Sequence, residues 1–277
     1  MQFLIVFMKP FILAIFLFCT INISAQSYLI SGGARASALS DAAVTINDVF
    51  AAFNNQACLS MIEKPEAGLA LQNRFGMKEL NTLSAAFALP LASNKGVFAL
   101  SVNRYGYKLF NQNKIGLAFA KKLSPVFSAG VQVDYLNTHI DEGYGNKSSF
   151  TIEGGVLAEF NKLKAGVHIF NPLHVKITDY DDERIPVIIK AGISYSFSEK
   201  VLAAAEIFKS IDSKENFKIA LEYHPVKALY VRGGVSTEPV QLTFGFGLKF
   251  SQFYADFTSG YFEPLGYSPG LALRYAF

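Results

Sequence analysis

Ten charged residues stand at alternate positions within runs of alternating polarity: Asp134, Glu153, Lys190, Glu206, Lys218, Glu222, Arg232, Lys249, Asp256 and Arg274. Charges of both signs on one inward face can brace one another through ion pairs, or line a path for a polar ligand. Bracing is the favoured reading. Acid–base catalysis would need a positioned partner for one of these carboxylates, and no motif supplies it. His139, His168, His174 and His224 are too dispersed for a metal-ligand pattern. The acidic run at Asp179, Asp181, Asp182 and Glu183 lacks the glycine-assisted spacing of a calcium loop and reads as a solvated loop. Gly32-Gly33 follows no predicted strand and lacks a Gly-Lys-Ser/Thr continuation, so it is not a phosphate loop. The residues therefore predict no enzyme, no metal and no cofactor.

The elements that must position these charges have a period of two. The chain has 277 residues, 51% of them hydrophobic, yet beyond the first 20 no apolar stretch is long enough for a membrane helix. Phe244, Phe246, Leu248 and Phe250 alternate with Thr243, Gly245, Gly247 and Lys249. Phe217, Ile219, Leu221 and Tyr223 alternate with Lys218, Ala220 and Glu222, and similar runs centre on Val131 and Ile193. One face suits lipid and the other a lumen. Turn signals divide residues 66–277 into about fourteen strands, an even number as bacterial barrels require. Tight turns at Asn161-Lys162, Ser198–Lys200, His224–Val226 and Ser251 alternate with longer connections at 139–147, 171–185, 210–215 and 261–269. If both chain ends are periplasmic, each longer connection lies outside and is available to a partner. The fold class predicted is all-β, a transmembrane antiparallel β-barrel. The predicted location is the outer membrane, crossed many times and in contact with its lipid.

Residues 26–65 break the alternation and are rich in Ala and Ser. Asp41 and Asp48 could cap short helices, with a loop at Asn54-Asn55-Gln56. This segment is expected to enter the lumen as a hatch, because a wide barrel is either filled or open. Residues 1–25 read as an export signal, with Lys9 as its only charge, an apolar core from Phe11 to Phe18, and a small-residue cleavage site at Ile23-Ser24-Ala25. Cys19 lacks the small preceding residues that lipid attachment usually needs. Beyond the signal, Cys58 has no second cysteine to pair with. The balance of 25 basic to 22 acidic residues gives no reason to propose nucleic acid as a partner. The chain ends Leu271, Leu273, Tyr275, Phe277, and the terminal aromatic Phe277 is expected to serve as the signal read by the outer-membrane assembly machinery during insertion.

The segments Gly33-Ala34-Arg35-Ala36 through Asp41-Ala42-Ala43, and Asp48 through Ala57, resemble the opening of the PorV/PorQ family of Bacteroidetes outer-membrane proteins. That family is related in fold to the FadL fatty-acid transporters. Its members carry a Gly-Ala-Arg segment, an acidic pair and an Asn-Pro-Ala loop; here Gln56 replaces the proline. Ala165 through Pro172 resembles the family's mid-barrel Gly…Asn-Pro segment. The resemblance implies a 14-stranded barrel with an N-terminal hatch. For the PorV/PorQ branch it implies an accessory or shuttle role in type IX protein secretion, with protein partners in an outer-membrane complex. For the FadL branch it implies passage of a hydrophobic ligand. Arg35, Asp41, Asp48, Phe50, Phe53, Asn54, Asn55 and Leu59 are then the hatch or ligand-pocket candidates, with Phe50, Phe53 and Leu59 equally suited to plain packing.

Overall fold

The computed structural model describes residues 32–141, 145–176, 184–211 and 213–277. The expected signal at 1–25 and the acidic run at Asp179 to Glu183 lie outside them. Fourteen strands close into one antiparallel barrel. They are β1 Glu66–Asn73, β2 Asn81–Pro90, β3 Val97–Gly106, β4 Phe110–Lys122, β5 Phe127–Ile140, β6 Gly145–Phe160 and β7 Leu163–Phe170. The second half is β8 Ile188–Ser198, β9 Val201–Ser210, β10 Asn216–Val226, β11 Leu229–Thr237, β12 Val240–Phe250, β13 Phe253–Phe262 and β14 Gly266–Ala276. Each strand pairs with its neighbours in sequence, and β1 closes on β14 with Glu66 opposite Ala276 and Gln72 opposite Gly270. Closure leaves no strand edge unpaired, which is what a sheet in lipid requires.

Alternation sets the two faces. On β12, Leu242, Phe244 and Phe246 are exposed while Thr243 is buried. On β5, Val131 and Val133 point outward and Gln132 and Asp134 inward. The same pattern runs round the barrel, so the outer surface is a continuous apolar belt far larger than a water-soluble protein tolerates. Aromatic pairs mark both rims. Phe127–Phe160 and Phe253–Tyr275 lie at the rim where β1 begins and β14 ends, the terminal rim. Tyr135–Phe150 and Tyr261–Tyr267 lie toward the opposite, far rim. Among the described residues no helix is long and apolar enough to cross a membrane; the strands do so. The protein is a multi-pass β-barrel of the outer membrane.

Two connections differ from expectation. β5 and β6 stay paired as far as Ile140 opposite Gly145, and β13 and β14 as far as Phe262 opposite Gly266. The long connections predicted at 139–147 and 261–269 are thus short hairpin ends. Polar residues such as Asn137, Thr138 and Ser148 remain in the ladder because backbone hydrogen bonds, not side-chain polarity, hold strands beyond the membrane. The connection from β7 to β8 is the long one, and of its described residues Asn171, Ile185 and Val187 are buried.

Inside the barrel, residues 34–61 form helix α1 (Ala34–Ala38) and two 3-10 helices, Val49–Phe53 and Gln56–Met61. Asp48 caps the first of these by accepting from the Phe50 N–H at 2.9 Å, and Asn55 caps the second by accepting from the Ala57 N–H at 3.1 Å. Asp41 caps nothing. It sits in a turn after α1 with φ +58°, where the chain reverses toward Val44. The predicted loop at Asn54-Asn55-Gln56 is shorter than expected, since Gln56 already opens the second 3-10 helix.

Candidate functional site

The lumen is organised in layers, and the hatch occupies the middle one. Its backbone approaches the wall where lumen-facing positions are Gly or Ala. Gly130 of β5 faces the backbone of Gln56 and Ala57, Gly166 of β7 faces the Val44 carbonyl, and Gly234 of β11 faces Leu39 and Ser40. A methyl group added at Gly245 of β12 would lie 2.6 Å from the Ala38 side chain. Ala86, Ala88, Ala99, Ala118, Ala120 and Ala272 continue this belt and are buried against the hatch. Small residues are required because the hatch lies too close for longer ones.

Phe50, Phe53 and Leu59 are all buried in this packing, Phe50 against Gly33 and Gly68 and Phe53 against Gly32. Gly33 has φ +89°, a conformation that glycine adopts without steric cost, and the Phe50 ring fills the space a side chain would need. Asn54 donates to the Phe50 carbonyl at 3.2 Å. Asn55 donates to Val44 within the hatch at 2.7 Å and to Val156 of β6 at 3.2 Å. Cys58 is fully buried, its Sγ 3.4 Å from the Val44 carbonyl. Burial pushes its thiol up to about 12.

On the terminal side of the hatch lies a charge network. The Arg35 guanidinium donates to both Glu222 oxygens, Nε to Oε2 at 2.8 Å and Nη2 to Oε1 at 2.7 Å. Arg232 also donates to Glu222 at 2.6 Å and to Asp256 at 2.5 Å. Asp48 lies 3.7 Å from Arg35, and His224 Nε2 lies 3.1 Å from Glu222. Farther round the rim the Arg274 guanidinium stands 4.1 Å from the centre of the Tyr254 ring and 3.5 Å from Glu66, and the Lys249 ammonium 5.1 Å from the same ring.

Above the hatch, toward the far rim, a second ionic layer spans β4 to β10. Lys114 pairs with Glu153 at 2.6 Å and Asp134 at 3.7 Å, and His168 Nε2 lies 3.1 Å from Glu153. Glu206 accepts from the backbone N–H groups of Ala43 and Val44, both at 2.9 Å, and pairs with Lys218 at 3.2 Å. Lys218 also donates to the Asp41 carbonyl at 3.2 Å. Lys190 is buried at the same level, opposite His168 in the β7–β8 register. Still farther out an apolar cluster of Leu136, Phe170, Ile185 and Ile188 covers this side. Asn171 holds it there: its Oδ1 accepts from Thr151 at 2.7 Å and from the Val175 N–H at 3.2 Å, while its Nδ2 donates to Ile185 at 2.7 Å.

The lumen charges expected from the alternation therefore occupy two separate layers, with Lys249 and Arg274 apart at the terminal rim. Lys114, Gln132 and His168 belong to the second layer but were not singled out. The parity of β4 and β5 was the signal for the first two. Dispersion in sequence concealed His168, since its partners lie on other strands. Among the described residues no three His, Cys, Asp or Glu side chains gather as a metal site. Phe277 lies at the terminal rim, its N–H donating to Pro65 at 2.9 Å and its ring against Tyr275 and Phe87.

No family model matches the sequence, and no curated protein matches it. Solved structures do. The toluene transporter TbuX of Ralstonia pickettii is 14% identical and superposes with a TM-score of 0.69, over 90% of this chain and 99% of that one. The toluene transporter TodX of P. putida gives 11% and 0.65, over 90% and 99% of the two chains. A FadL homologue of Pseudomonas aeruginosa gives 12% and 0.64, again over 90% and 99%. At these identities the likeness is one of fold, and the fold is that of FadL-like outer-membrane barrels.

Proposed function

We propose that the protein is a gated outer-membrane channel for small molecules, closed here by its own N-terminal segment. The observation that carries this reading is the fit of residues 34–61 into the belt of Gly and Ala on the lumen wall. A barrel whose interior is shaped around a segment that touches the wall only by non-covalent contacts can open by moving that segment. The fold shared with TbuX and TodX, both titled toluene transporters, supports the same reading. No catalytic step is assigned to it. The test is solute flux into proteoliposomes containing the wild type or Arg35→Ala, which loosens the plug. Flux that rises in the variant supports gating; an unchanged, lipid-only rate in both rejects it.

A second reading makes the barrel a partner-binding accessory of the PorV/PorQ type in type IX secretion. One observation favours it: an apolar groove of about 460 Å³ on the lipid face, where Ala67 and Ala85 are flanked by Leu69, Phe87, Leu100 and Leu273. A ridge of apolar side chains on a partner's membrane surface would fit there. Mild-detergent recovery of the tagged protein from native outer membranes decides between the two. Stoichiometric secretion components would establish the partner; the barrel alone would leave the channel reading.

A further inference from the structure

The hatch is held unevenly. Its hydrogen bonds to wall residues at and above the level of α1 go to β6, β9, β10 and β12, through Val156, Glu206, Lys218, Glu222 and Thr243. The opposite flank, against β13, β14, β1 and β2, is different. Between α1 and these strands lies a cavity of about 10 Å³, the space of about one water molecule. Its polar lining comes from Ser37, Gln72, Thr82, Ser84 and Thr258, with no charged side chain among the lining residues. The wall side chains there bond within the wall. Thr258 donates to the Phe244 carbonyl at 3.3 Å, and Ser84 accepts from Asn103 at 2.8 Å. Thr82 is 2% exposed, and its hydroxyl has no partner among the described residues.

We propose that this flank is the solute path, and that it takes small, uncharged, hydrogen-bonding solutes of the polyol class. The proposal rests on the channel reading and names its substrate class. The hatch yields on the side where α1 is packed by apolar contact alone, with no hydrogen bond from α1 to β13, β14, β1 or β2 among the described residues, pivoting on its anchors to β9, β10 and β12. A polyol hydroxyl would satisfy Thr82 and replace water along Ser84, Gln72 and Ser37. An aromatic hydrocarbon would strip water from the same groups and return no hydrogen bond, which is costly for each buried polar group. Ionic solutes are not favoured either, because no charged side chain lines the cavity.

The experiment is uptake by a porin-deficient Gram-negative host whose outer membrane carries the full-length protein, with erythritol and toluene as probes. Erythritol is expected to enter several-fold faster than in cells without the protein, and toluene at an unchanged rate. Thr82→Val with Ser84→Ala should abolish most of the gain, and Thr82→Ser should restore it in the Ser84 background. If the double variant does not reach the membrane, Thr82→Val alone serves. Accelerated toluene uptake would overturn the polyol assignment while leaving a channel. Erythritol flux undiminished in the folded Thr82 variant would overturn the path. Neither probe accelerated, even with Arg35→Ala, would reject the channel and the proposal together.

Discussion

Arg35 and Glu222 are 187 residues apart and meet in a two-pronged ion pair, with N–O distances of 2.7 and 2.8 Å. One comes from helix α1 and the other from β10, so the pair ties the plug to the wall. Burial works against the Arg35 charge, but the Glu222 carboxylate outweighs it, and the guanidinium pKa is raised. Removing one partner of a buried pair costs about 3–5 kcal/mol where the other charge is left uncompensated; here Asp48 stays near Arg35 and Asp256 stays with Arg232, so the cost falls below that range. Glu222→Gln is therefore expected to loosen the hatch without opening the barrel. Hydrogen exchange should accelerate in residues 34–61 and stay unchanged in strands away from β10. Equal protection in variant and wild type would contradict the anchoring role.

A methyl group at Gly130 or Gly245 would collide with the hatch. At Gly130 it would lie 2.5 Å from the Gln56 carbonyl carbon, backbone that cannot rotate away. Overpacking of this kind costs about 1–3 kcal/mol. Gly130→Ala should make the hatch more sensitive to limited proteolysis, whereas an alanine at Gly233 of β11, where the nearest atom is an ordinary 3.6 Å away, should not.

Cys58 reports on hatch opening. Its thiol is fully buried and, with its pKa pushed up to about 12, is protonated at neutral pH. The thiolate is the reactive species. A maleimide should leave the folded protein unlabelled at pH 8 and label it fully in denaturant. Labelling should appear in Arg35→Ala at a rate that follows hatch opening. Rapid labelling of the native wild type would show that the hatch is not closed.

Asp48 and Asn55 each cap a 3-10 helix. Asp48→Ala should cost about 1 kcal/mol as a lost cap, more if its weaker pairing with Arg35 contributes. Asp41→Ala should cost less, since Asp41 caps no helix and offers its backbone carbonyl to Lys218. Thermal unfolding of the two variants in the same detergent gives the comparison.

Much of the wall was legible in the amino-acid order. The tight turns at Asn161-Lys162 and at Ser198–Lys200 fall where expected, because alternating Leu, Ile and Phe with polar or small residues admits one arrangement between lipid and lumen. The far-rim ends of β5, β6, β13 and β14 were not legible, because there neither face meets lipid and side-chain polarity stops reporting on the backbone. The Asp48 cap could be read locally, since it needs only the next two residues. The role of Asn171 could not, because its partners Thr151 and Ile185 lie on a neighbouring strand and across a connection.

The sequence by itself determined a β-barrel with an irregular segment ahead of it, since the choice between lipid and lumen is made residue by residue with a period of two. Barrel width gave the expectation that this segment enters the lumen, but nothing in the sequence determined what it touches there. Arg35 finds Glu222, Val44 finds Glu206 and Asn55 finds Val156 only when the barrel has closed. Each of these contacts joins residues more than a hundred positions apart. The division of the lumen charges into two layers, and the lightly tied flank beside Thr82, were decided by closure. Strand tilt and register, not spacing along the chain, bring those groups to one level.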